Sequence, residues 1–264
     1  MKREPAYPTP EHRQAAEVIT DYFVTNYKID AVLLVNSCAR GKATRDSCLD
    51  IVMLAKPDAS RSSLKELEAG WQELEKSSEV IRSLYKTGKY SVVHPDFISG
   101  DFQLREQDEA AGPDDFEVEV GNFLAYSVPL WQGSDYFGQL KGQWLPYYGE
   151  DVRRQRLEQV RWYCLNNLHH IPLYLERGLY FQSFDRLYNA YREFLQALFI
   201  ARRTYPIAYN KWIHEQIVEI LGLPELYEQL THLFEIQKFE SDEIANKAQK
   251  VEQLLNQYAA APQT

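Results

Sequence analysis

AVLLVNSCARGKATRDSCLDIVML, residues 31–54, holds two apolar runs joined by a polar turn. Residues 31–35 form a short continuous apolar run, the pattern of a strand covered on both faces. Residues 48–54 (CLDIVML) repeat it, interrupted only by Asp50, and a carboxylate inside a buried run needs a physical reason. The intervening turn carries Asn36, Ser37, Arg40 and Gly41. Backbone N–H groups of such a turn and the Ser37 hydroxyl can meet a phosphate while Asp50, from the next strand, holds a divalent cation against it. Phosphoryl and nucleotidyl transfer depend mainly on positioning and charge neutralisation, so this layout suits that chemistry.

Outward from this stretch, apolar positions at helical spacing predict a helix over residues 10–26, with Thr9 as its cap, and another over 63–87 stopping at Gly88. Short strands are expected at residues 90–93 and 96–102. Residues 116–120 (FEVEV) alternate with period two, which as a strand puts Glu117 and Glu119 on one face. The first 145 residues therefore read as an α/β (α+β) domain with a mixed sheet, and residues 146–264 as an all-α helical bundle. In the bundle, helices are expected over 150–176, 180–203, 208–222, 224–236 and 241–258, with the boundary inside the aromatic, Gly- and Pro-containing stretch 131–149.

At residues 31–54 the chain resembles the nucleotidyltransferase superfamily that includes the kanamycin and streptomycin adenylyltransferases and the small antitoxin nucleotidyltransferases. Ser37 and Ser47 stand ten residues apart, as the turn serine and strand serine of that signature do, with Gly41 between them. Asp50 falls on the second acidic position; Asn36 replaces the turn glycine, and Cys48 occupies the first acidic position. Residues 192–216 look like the helical bundle that these proteins pair with the transferase domain.

The resemblance implies transfer of AMP from ATP, with Mg2+, to a hydroxyl of an acceptor. Asp50 would bind the metal, Asn36 and Ser37 beside Gly41 would hold the β- and γ-phosphates, and Arg40 or Lys211 would offset their charge. Asp96, or Glu117 on the alternating segment, would complete the metal site or act as base. The Cys48 substitution implies a rival: a nucleotide-binding module that has lost catalysis, unless another acid such as Asp46 stands in. An interaction protein with an α/β scaffold is a further alternative.

A net charge of −9 argues against general DNA or RNA binding, which needs a cationic surface, and suits a small cationic or neutral acceptor. Three cysteines without metal-ligand spacing argue against a disulfide framework or a zinc site and favour a reducing compartment, so a cytoplasmic location is expected. Cys48 reads as packing, and His94 stands alone. No apolar run approaches membrane-spanning length.

Overall fold

The structure is a computed structural model that describes residues 4–104 and 111–260. The chain divides into two compact units, one of Met1–Gln103 with Val120–Leu145 and one of Leu104–Glu119 with Pro146–Thr264. The second unit thus takes in a segment that precedes the expected boundary at residue 145.

The first unit is built on a four-stranded mixed sheet in the order β3-β2-β1-β4, formed by β1 (Ile29–Leu34), β2 (Leu49–Ala55), β3 (Val93–Ile98) and β4 (Val128–Gln132). β1 is antiparallel to both β2 and β4, whereas β2 and β3 run parallel. Every residue of β1 and β2 is buried, as continuous apolar runs require. One face of these strands, with Ile29, Val32, Leu34, Ile51 and Met53, packs into a core shared with Ala15, Ile19, Phe23, Leu67, Trp71, Leu74 and Ile81. Those partners come from α1 (Pro10–Asn26), α3 (Arg61–Ser77) and α4 (Glu79–Leu84).

Several expectations need correction. The helix expected over 63–87 is two, because Ser78 turns extended and its hydroxyl accepts from Ile81 N at 3.3 Å, capping α4. Thr9 makes no cap bond; its hydroxyl pairs with His12 Nδ1 at 2.9 Å instead. The two short strands expected near residues 90–102 are the single strand β3, with Pro95 tolerated because β3 lies at a sheet edge. β4, opened by Val128 and Pro129, is an edge strand for the same reason, and α6 (Tyr136–Trp144) fills the stretch expected to be linker.

FEVEV is not a strand. Residues Phe116–Val120 form α5, a short helix that continues into a π-helical turn at Gly121–Ala125. Five alternating residues satisfy either geometry, since Phe116 and Val120 are also one helical turn apart. The helical choice is made by Asp114, whose carboxylate accepts from Phe116 N at 3.0 Å, and by the Glu119 N to Asp115 O bond at 2.8 Å.

The second unit packs α7 (Glu150–Glu176), α8 (Tyr180–Ala201), α9 (Pro224–Thr231) and α10 (Glu243–Tyr258) around Leu187, Phe194, Leu198, Leu226 and Leu254. The helix expected over 208–222 begins only at residue 213 and runs as a π-helical turn over Glu215–Ile220, the residues before it being irregular. Gln216 holds the loop before it, accepting from Ile207 N at 2.6 Å and donating to Ala208 O at 2.8 Å and Lys211 O at 3.0 Å. Among the described residues, no helix is long and apolar enough to cross a membrane.

Candidate functional site

The end of the sheet where β1 finishes and β2 and β3 begin collects most of the residues singled out above. β1 leaves through Val35 into α2 (Asn36–Arg40), a single short turn of helix where the sequence suggested a loop. Asn36 opens it with φ of 55°, in the left-handed region that glycine favours and asparagine tolerates. Asparagine is thus one of the few non-glycine residue types that can take the backbone geometry this position demands. Gly41 ends the turn, also left-handed at φ 71°. Asn36→Val is expected to cost about 1–2 kcal/mol in a thermal melt, while Asn36→Gly leaves the midpoint nearly unchanged.

Ser37 is buried and Arg40 half-buried on this turn. The next segment is tied down at several points. His12, fully buried in α1, places Nε2 2.9 Å from Ser47 O, and Ser47 Oγ accepts from Thr44 N at 2.9 Å. Across the chain, Ser91 Oγ donates to Arg45 O at 2.6 Å, Arg45 Nε to Thr87 O at 2.8 Å, and Lys89 N to the Asp46 carboxylate at 2.9 Å. Asp46 is thereby committed to the neighbouring turn. Gly88 fits here because a Cβ would come within 2.6 Å of Asp46 Oδ1 and 2.7 Å of Arg45 O.

This clamp delivers Cys48 and Asp50 to the sheet end in a defined place. Val35 N donates to Asp50 O at 3.1 Å, so the buried Asp50 lies directly beside the turn. In the parallel register Asp50 pairs with His94 of β3, and Asp96, two residues on, shares that face. His94 Nδ1 stands 3.4 Å from Asp50 Oδ1, and the Cys48 thiol approaches both Asp50 oxygens at 3.5 and 3.3 Å. Ligand atoms of Cys48, Asp50 and His94 all lie within 4.8 Å of one another.

Asp96 keeps an exposed outer edge, yet the protein around its carboxyl and, next, the negative charge of Asp50 raise its pKa, with His94 opposing. The two carboxylates thus share one face of the sheet, with the charge of Asp50 felt at Asp96. Burial, then Asp50 and Cys48, pushes the Cys38 thiol up to about 12, so that cysteine is a packed, unreactive neighbour.

Glu117 engages partners within its own unit. It belongs to the helical unit, is fully buried, and its carboxylate is taken up by Arg156, with Nε at 3.0 Å and an Nη at 2.7 Å. Tyr148 Oη and Gln196 Nε2 each add a bond at 2.8 Å. Its role is to neutralise a buried arginine. Glu119 follows it on α5 rather than lining a strand face. Lys211 is exposed in the loop held by Gln216 and also belongs to the helical unit.

Sequence reasoning set Cys48 aside as packing and left His94 alone. Cys48 meets Asp50 because residues two apart on an extended segment share a face, whereas only the β2–β3 register brings His94 to them. No protein-family model matches the chain, and no curated protein is similar to it. The reading of its function therefore rests on the site itself.

Proposed function

We propose that the α/β unit is a nucleotidyltransferase-type site that moves AMP from ATP to a hydroxyl of a small acceptor. The observation that carries the reading is the gathering of Asp50 and Asp96 on one face of the sheet, beside the turn of residues 36–41. In the transfer, the acceptor oxygen bonds to the α-phosphorus, the bond from that phosphorus to the bridging oxygen breaks, and pyrophosphate leaves. The hydroxyl proton passes to a carboxylate, for which Asp96 is the available group because burial and the charge of Asp50 raise its pKa and so favour proton uptake. Asn36, Ser37, Gly41 and Arg40 receive the phosphates, and Lys211 is the further cation that the resemblance assigns to them.

Mg2+ accompanies ATP in solution, and when bound it would neutralise phosphate charge. Of the donors on this face of the sheet, the oxygens of Asp50 and Asp96 suit so hard a cation; the thiol of Cys48 and the imidazole of His94 do not.

Calorimetric titration with ATP, with and without Mg2+, tests the reading. The wild type is expected to bind, and Asp50→Ala to lose at least about tenfold in affinity, or roughly 1.4 kcal/mol. Absence of ATP binding by the wild type would sink the proposal. A second reading, nucleotide binding without transfer, is favoured by Cys48 at an otherwise acidic position. Under it, AMP transfer emerges only in Cys48→Asp.

A further inference from the structure

We infer that Cys48, Asp50 and His94 form a binding site for a zinc-class divalent transition metal. This ion is distinct from the Mg2+ that accompanies ATP; it shares Asp50 with the site proposed above and rests on that reading only for its purpose, not for its binding. A thiolate, a carboxylate and an imidazole are a mixed S, O and N donor set, the preference of Zn2+ and its relatives rather than of Mg2+.

The distances argue for the same ion. Around a tetrahedral Zn2+ with bonds of roughly 2.3 Å to sulfur and 2.0 Å to nitrogen or oxygen, sulfur and oxygen ligands stand about 3.5 Å apart and nitrogen and oxygen ligands about 3.3 Å. Cys48 Sγ lies 3.5 Å from Asp50 Oδ1, and His94 Nδ1 lies 3.4 Å from the same oxygen. Two of the three edges of the ligand triangle therefore match before any side chain moves. The third, between Cys48 and His94, is no longer than 4.8 Å.

The surroundings are preorganised in the same sense. Asp50 and Cys48 are held by strand pairing and by the clamp on residues 44–48, so two of the three ligands sit on fixed backbone. His94 sits on β3 with its side chain 61% exposed, while that of Asp50 is only 8% exposed. Three protein ligands with solvent beyond them leave a fourth position for a water or a phosphate oxygen, the arrangement of catalytic rather than structural zinc sites. Binding would displace the thiol proton that Cys48 donates to Asp50 and release it to solvent, with the metal taking its place between the same atoms.

Cobalt(II), titrated into the chelator-treated full-length protein without nucleotide, reports on all three ligands. The expected result is a near-ultraviolet sulfur-to-cobalt charge-transfer band with visible bands of tetrahedral intensity, saturating at one equivalent and erased by one equivalent of Zn2+ but not by excess Mg2+. Cys38 and Cys164 are both buried and pushed above the ordinary thiol range, so the sulfur band belongs to Cys48. It should vanish in Cys48→Ser, and His94→Ala should weaken cobalt affinity by more than about tenfold. Both variants should retain the wild-type circular dichroism, because neither position lies in the packed core. A wild type without the sulfur band, or a band that persists in Cys48→Ser, overturns the inference. Because no nucleotide is present, failure here is separate from failure to bind ATP in the calorimeter.

Discussion

Replacing Arg156 by alanine is expected to destabilise the helical unit by about 3–5 kcal/mol, the cost of stranding buried acids without their cation. Arg156 is 4% exposed and binds Asp114 through two bonds at 2.7 and 2.8 Å while its Nε and an Nη engage Glu117, which is completely buried. Its guanidinium also lies over the Phe116 ring, 5.5 Å from the centroid. Removing it leaves Glu117, among the described residues, with Tyr148 and Gln196 as its side-chain donors, too little to solvate a carboxylate inside a core. The same acid already raises the Tyr148 hydroxyl pKa, second to burial itself. Denaturant unfolding monitored through the bundle gives the measurement. The double variant Arg156→Met with Glu117→Leu should recover much of the loss, because apolar side chains of similar volume need no partner. If Arg156→Ala shifts the midpoint no more than an ordinary surface change, the buried network does not contribute as the geometry requires.

The second large effect concerns Glu193. This residue of α8 is fully buried, with both carboxylate oxygens accepting from Asn167 Nδ2 at 3.0 and 2.9 Å. Burial pushes its pKa up to about 8, against the opposing pull of Asn167, Arg186 and Arg192. Arg186 reaches it only indirectly, by donating to Asn167 Oδ1 at 2.8 Å.

The sign of the pH dependence follows from the raised value. Below the carboxylate's ordinary pKa both folded and unfolded chains hold the proton and Glu193 contributes no slope. Above it the unfolded chain releases the proton while the folded chain keeps it up to about pH 8, so stability falls as pH rises through that window. One such group contributes a slope of about 1.4 kcal/mol per pH unit, and a few kcal/mol over the whole interval. Glu193→Gln, which keeps the shape and an acceptor but cannot ionise, should match the wild type at the acid end and exceed it increasingly toward pH 8. Parallel stability curves for the two proteins would show that Glu193 is already ionised in the fold.

Both networks were invisible along the chain. Glu117 looked like an acid lining a cleft because FEVEV alternates, and what removed it from that role was Arg156, which comes much later in the sequence. Glu193 lies within a stripe that reads simply as bundle core, and the partners of a polar group inside such a stripe depend on which helix packs against it. The site divides in the same way. Asp50 was legible because a carboxylate interrupting an apolar run is unusual in itself. Asn36 and Gly41 were legible because turn chemistry is local, and both positions are left-handed. Cys48 and His94 were not, since each has an ordinary explanation when taken alone.

The amino-acid sequence by itself determined what a short window of side chains can specify. Continuous apolar runs made β1 and β2 buried strands, and spacing near 3.6 residues made α1 and the long helices α7, α8 and α10. The tertiary structure alone decided where each ambiguous segment went and which distant residues met. A strand's register against its neighbour depends on packing over the whole sheet, and a shift of one residue would turn His94 away from Asp50 to the opposite face. Short segments such as residues 116–120 fit two periods equally well; the helix that the Asp114 cap opens is also the form that buries Glu117 against Arg156, a partner that no local window contains.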